Sequence, residues 1–131
     1  MIALDTNLLL RLVLDDDAAQ VNAVKTLLSS GQLCTAPITV FLECVWVLQA
    51  QGYDREDIAH TLTELLGLPH FECAEKAALK QASNDYAAGM DFADALHVAL
   101  SAGCSAFKTF DAQFIKKASA LKRKPVVSAP S

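Results

Sequence analysis

The sequence has little of what marks a stapled, fibrous or membrane-crossing chain. Its five glycines and four prolines are too few for a collagen-like repeat, and 53% hydrophobic against 20% charged residues is too apolar for a disordered one. No apolar run approaches the roughly eighteen residues that a bilayer crossing requires. The four cysteines, Cys34, Cys44, Cys73 and Cys104, form no Cys-x-x-Cys pair, so neither a zinc knuckle nor a thioredoxin-like site has support. Reduced, mostly buried thiols are expected instead. The start, Met1-Ile2-Ala3-Leu4-Asp5, lacks the basic residues and long apolar stretch of a secretory signal, which points to a cytoplasmic location. At 131 residues the chain predicts one domain, 1–131, with ample material for a core.

Charge is unevenly distributed. Residues 1–104 carry fourteen acids and five bases, whereas residues 105–131 carry one acid and six bases: Lys108, Lys116, Lys117, Lys122, Arg123 and Lys124. Such a basic end is a candidate footprint for a phosphate backbone, although a solvated helix face has the same composition.

Apolar periodicity and stop signals predict alternating strands and helices. Ile2-Ala3-Leu4 reads as a buried strand, followed by a helix over Leu8–Leu14 and another over Ala18–Ser30 that Gly31 ends. The run Asp15-Asp16-Asp17 suits the acidic entry to that second helix. A strand over Leu33–Ala36 precedes a helix from Pro37 to about Gln51, and Asp54 and Asp57 are spaced as a capping box at the head of a helix to Leu66. Beyond Gly67 and Pro69 come a strand at Phe71–Cys73 and helices over Glu75–Ala88 and Asp91–Ala102. A strand at Ala106–Thr109, a helix over Ala112–Leu121 and a strand at Val126–Val127 complete the order. This alternation implies crossover connections and an α/β fold: a three-layer α/β/α sandwich around a central, mainly parallel sheet of four to five strands.

In such sheets ligands gather beyond the carboxyl ends of the strands, where the crossover helices begin. Asp5 follows the first strand, Glu43 lies in the second turn of the helix after strand two, Asp94 in the first turn of its helix, and Asp111 follows strand four. Each alone is what a helix cap looks like, and Asp91-x-x-Asp94 is an ordinary capping interval. Together they place four acids at one predicted edge, with Glu43 in the very apolar run Val40–Val47. Crowded carboxylates repel unless a cation compensates them, and an oxygen-only set favours a hard ion, Mg²⁺ or Mn²⁺, over Zn²⁺. Without these four, the chain has eleven acids and eleven bases and need not repel a polyanion.

Asp5-Thr6-Asn7, the lone Glu43, Asp91-Phe92-Ala93-Asp94-Ala95-Leu96-His97 and Thr109-Phe110-Asp111, in this order over about Ile2–Val127, resemble the PIN domain, most closely its short single-domain form, the VapC-type ribonuclease toxins. The resemblance implies an endoribonuclease in which Asp5, Glu43, Asp94 and Asp111 bind the metal. Asn7 and Thr109 would support them by hydrogen bonding, and Asp91 would be an outer acid or the helix cap, the reading that its spacing favours. It further implies an RNA substrate, a cognate antitoxin whose tail occupies the active-site groove, and a homodimer. An apolar surface among the first helix and the helices after Pro37 and Asp54 suits a partner helix.

Metal-activated water attacking phosphorus in line leaves a 5′-phosphate and a 3′-hydroxyl and needs no side-chain nucleophile. A metal-independent ribonuclease wants a paired acid and base, commonly histidines, and His60, His70 and His97 fall on separate elements. His97 is read as a packing or hydrogen-bonding residue rather than a ligand, and Trp46 as a core or dimer-interface residue rather than a base-stacking one. Arg11, Lys116 and Lys117, with Lys122, Arg123 and Lys124, are phosphate-contact candidates. The alternatives are a Mg²⁺-binding receiver-like module, disfavoured because Asp5 is followed by Thr6-Asn7 rather than by an acid, and an inactive α/β binding module, disfavoured by the complete acidic set.

Overall fold

Aspartates decide where most of the helices start. In the computed structural model, which describes residues 1–14 and 16–131, Asp5, Asp17, Asp54, Asp91 and Asp111 each accept a hydrogen bond from the backbone N–H three residues further on, at 2.8–3.1 Å. Each bond satisfies one of the N–H groups that a helix start leaves without an internal partner, worth about 1 kcal/mol. The acidic run before the second helix thereby divides. Asp17 is the N-cap, Asp16 pairs with Arg11, and Asp15 lies outside the described residues.

The chain separates into two compact units, Met1–Lys76 and Ala77–Ser131. The first contains β1 (Ile2–Ala3), α1 (Thr6–Leu14), α2 (Ala18–Ser29), β2 (Cys34–Thr35), α3 (Ile38–Ala50) and α4 (Arg55–Leu66). β1 and β2 pair in parallel, Ile2 opposite Cys34 and Ala3 opposite Thr35, with α1 and α2 as the crossover. Phe71 adds one parallel bridge to Cys34, through Cys34 N to His70 O at 2.8 Å and Glu72 N to Cys34 O at 2.9 Å. The core draws on Leu4, Leu9, Val24, Phe41, Val45, Leu48, Ile58 and Leu62, all buried. Full burial of an aliphatic side chain of this size contributes about 1.5–3 kcal/mol.

The second unit takes nearly all of α5 (Lys76–Ala87), then α6 (Phe92–Leu100), β3 (Phe107–Lys108), α7 (Ala112–Ala120) and β4 (Val127–Ser128). β3 and β4 pair in parallel, Phe107 opposite Val127 and Lys108 opposite Ser128. Tyr86 meets Phe92 edge-on at 6.0 Å, and Phe107 packs on Phe114 at 5.4 Å. The same unit holds an ion pair with a buried acid. Asp85 is only 1% exposed, and Arg123 donates to it from Nε at 2.8 and 3.0 Å and from Nη2 at 2.6 Å. Removing the arginine would strand a buried charge, at a cost of about 3–5 kcal/mol.

The fold is α/β, with seven helices and short parallel strands among the described residues. A central sheet of four to five strands, and with it the three-layer sandwich, is not shown: the ladders are two separate parallel pairs. The reason is strand length. Of the expected strands Leu33–Ala36 and Ala106–Thr109 only two residues each are in a ladder, and the expected strand Phe71–Cys73 shrinks to a single bridge after His70, whose φ of 55° interrupts the extended chain. The first helix begins at Thr6, two residues before the expected Leu8.

Candidate metal centre

Three carboxylates meet in the second unit. Asp91 caps α6 and accepts from the N–H of Asp94 at 2.9 Å, Asp94 stands one turn in, and Asp111 caps α7 by accepting from the N–H of Phe114 at 3.1 Å. Asp91, Asp94 and Asp111 line one hollow of about 170 Å³ with Met90, Gln113, Phe114 and Lys117. Two helix N-termini thus open on it, and their positive ends favour anionic side chains there. Asp94 nevertheless pays for its position: burial first, then the charges of Asp91 and Asp111, push its carboxyl above the usual range, while His97 draws it back.

The neighbours of this hollow hold it in shape. Thr109 Oγ1 accepts from the N–H of Asp111 at 3.1 Å, and its own N–H donates to Ser128 O at 3.1 Å, so the turn leading into α7 is tied to β4. Lys117 Nζ donates to Gly89 O at 2.8 Å, which fixes an ammonium in the lining. The ring of His97 stacks on Phe107 at 6.3 Å with planes 13° apart.

In the first unit, Asp5, Asn7, Leu8, Arg11 and Gln20 line a different hollow of about 300 Å³. Asp5 caps α1 through the N–H of Leu8 at 3.1 Å. Arg11 is engaged with Asp16, whose carboxyl its hydrogen bond and charge hold below the usual range. Glu43 lies exposed on α3, so its apolar surroundings in sequence did not bury it: Phe41, Cys44 and Val45 turn inward, and Glu43 occupies the solvent side of the same turn. Burial, with a smaller contribution from the Glu43 charge, pushes the Cys44 thiol up to about 12. Trp46, expected in the core or at an interface, is not core, being 55% exposed.

Among the described residues, no group of three or more His, Cys, Asp or Glu side chains is arranged to hold a metal ion. The donors in the hollow of the second unit are nonetheless carboxylate oxygens, and burial first, then the charges of Asp91 and Asp111, make the ionised Asp94 costly in a way that a hard dication would relieve. On donor chemistry the set fits Mg²⁺ or Mn²⁺. Two features escaped sequence reasoning. Arg123, grouped with the phosphate-contact candidates, is committed to Asp85, a partner 38 residues away that no local spacing reveals. Phe110 stands 89% exposed beside Asp111, where the sequence reads only as a strand end.

No helix among the described residues is long and apolar enough to cross a membrane. Compared with known families, residues 2–120 match the PIN domain. No curated protein and no solved structure matches the chain.

Proposed function

Because the chain belongs to the PIN domain family, whose members are generally metal-dependent nucleases, we propose that it is a Mg²⁺- or Mn²⁺-dependent endoribonuclease of the VapC toxin type. Residues 1–131 act as one catalytic domain with the family's central sheet. Asp5, Glu43, Asp94 and Asp111 hold the metal, Thr109 orients Asp111, Asn7 supports Asp5, and Asp91 is the cap of α6. The metal, when bound, neutralises phosphate charge and lowers the pKa of an attacking water.

The chain's own residues do the rest. The carboxylates fix where negative charge accumulates, so that the site is ready only with a dication present. Lys117, held by the Gly89 carbonyl, steadies the phosphodiester, with Lys116 and Arg11 as further phosphate contacts. Hydrolysis leaves a 5′-phosphate and a 3′-hydroxyl. A cognate antitoxin that covers the site, a homodimer and a cytoplasmic location belong to the same proposal.

The observation that carries this reading is the family match over residues 2–120. It is supported by the convergence of Asp91, Asp94 and Asp111 on one hollow. The test is cleavage of single-stranded RNA by the purified chain with Mg²⁺ or Mn²⁺ and with EDTA, followed by end mapping. Metal-dependent cleavage that leaves 5′-phosphates and disappears in Asp5→Asn and Asp94→Asn supports it. Cleavage that survives both substitutions, or leaves cyclic phosphates, overturns it.

A further inference from the structure

We propose that Phe110 is a stacking platform for a base of single-stranded RNA, displayed beside the acidic hollow of the second unit; this rests on the nuclease reading and names how the strand is held. At 89% exposure Phe110 is the barest large apolar side chain among the described residues. It is not a stray member of the core, since His97, Phe107 and Phe114 make their ring contacts with one another and Phe110 stands outside that group.

Nor is its exposure the consequence of a loose loop. The N–H of Thr109 on one side donates to Ser128 O at 3.1 Å, and the N–H of Asp111 on the other donates to Thr109 Oγ1 at 3.1 Å. Asp111 is fixed in turn as the cap of α7. Two residues back, Lys108 Nζ is anchored by Ser128 Oγ at 2.9 Å. The backbone therefore presents the ring from a tethered turn, which lowers the entropy lost when a ligand covers it.

Charge identifies the occupant. Phe110 directly precedes Asp111, whose carboxylate lines the acidic hollow, and lies in a segment, 105–131, with six bases and one acid. Lys108 and Lys117 hydrogen-bond to neutral oxygens, not to carboxylates. An exposed aromatic in a basic segment matches the combination by which single strands are held, with a ring for the base and ammonium groups for the phosphates. It offers an apolar protein surface little area to bury.

The experiment uses the full chain carrying Asp94→Asn, so that RNA stays intact, and follows binding of a fluorescein-labelled single-stranded RNA by anisotropy. Phe110→Ala should weaken binding about five- to a hundredfold, Phe110→Leu should weaken it similarly, and Phe110→Trp should restore it to within about twofold. An oligonucleotide with abasic positions should bind more weakly and no longer distinguish Phe110 from Ala. Circular dichroism checks that each variant folds. Equal affinity of the Phe110→Ala and parent proteins, or full rescue by Leu, overturns the inference, as does a loss of oligomer mass in Phe110→Ala by light scattering with RNA affinity unchanged. If those results accompany metal-dependent cleavage by the wild type, the stacking role alone falls. If the wild type neither binds nor cuts RNA, the nuclease reading falls with it.

Discussion

Helices α4 and α6 open with the same device and each start borders a hollow, yet only at α6 does a second helix start add its carboxylate to the same hollow. Asp54-Arg55-Glu56-Asp57 and Asp91-Phe92-Ala93-Asp94 both place an aspartate at the N-cap and an acid three residues later, with cap hydrogen bonds of 2.8 and 2.9 Å. At α4 the acids are exposed and remain caps and solvated charges. At α6 the acid three residues on, Asp94, is half-buried, and a second helix start, that of α7, puts Asp111 on the same hollow. The capping interval by itself is therefore silent about chemistry. What creates a candidate site is the meeting of two caps, which turns ordinary helix-start carboxylates into a repelling group.

The widest separation between the two helices should be in catalysis. Asp94→Asn is expected to lower RNA cleavage by at least about a hundredfold, since even groups behind the ligands of a metal are worth about 10–100-fold. Asp57→Asn should stay within about twofold. Equal losses measured on one RNA under one metal concentration would erase the distinction.

Metal binding sharpens it without any substrate. At a Mn²⁺ concentration a hundred times its dissociation constant, mass action stabilises the wild type by about 2.7 kcal/mol, a rise of several degrees in thermal melting. Asp57→Asn should keep this rise and Asp94→Asn should lose most of it.

The caps themselves should differ by less. Asp54→Ala is expected to cost about 1 kcal/mol in urea unfolding. Asp91→Ala should cost less in metal-free buffer, because the lost cap is partly offset by relief of Asp94. A larger loss at Asp91 would mean that repulsion there is negligible.

The smallest effect is on pH dependence. Because burial and the neighbouring Asp91 and Asp111 hold the folded carboxyl of Asp94 above its ordinary value of 3.8, its ionisation destabilises the fold as pH rises from about that value through the raised one. Metal-free Asp94→Asn should therefore melt level with or above the wild type at neutral pH, and this difference should close as pH falls towards 3.8. A gap that widens in acid would reverse the sign and remove crowding as its cause.

Local rules made much of this legible in the sequence. Asp54, Asp91 and Asp111 announced their helices because capping depends on neighbours three residues apart. The order of parallel crossovers followed from alternation of apolar runs with helical periods. What was not legible depends on distance and facing. An apolar run such as Leu33–Ala36 cannot state how many of its residues will find a ladder partner, and two did. Glu43 looked enclosed among Phe41, Cys44 and Val45, but a helix turns by about 100° per residue, so apolar neighbours in sequence can leave it facing water. Asp85 gave no signal because its partner lies 38 residues away, in the connection between α7 and β4.

The pairing of Asp85 with Arg123 has a further consequence for how the basic end meets a polyanion. Arg123 arrives already paired, so only five lysines of residues 105–131 are left to neutralise phosphates and release the cations condensed on an approaching strand. At about 0.7 per phosphate contact on a single strand, this segment can add no more than about 3.5 to the slope of log affinity against log salt, and the guanidinium stays mute in the titration.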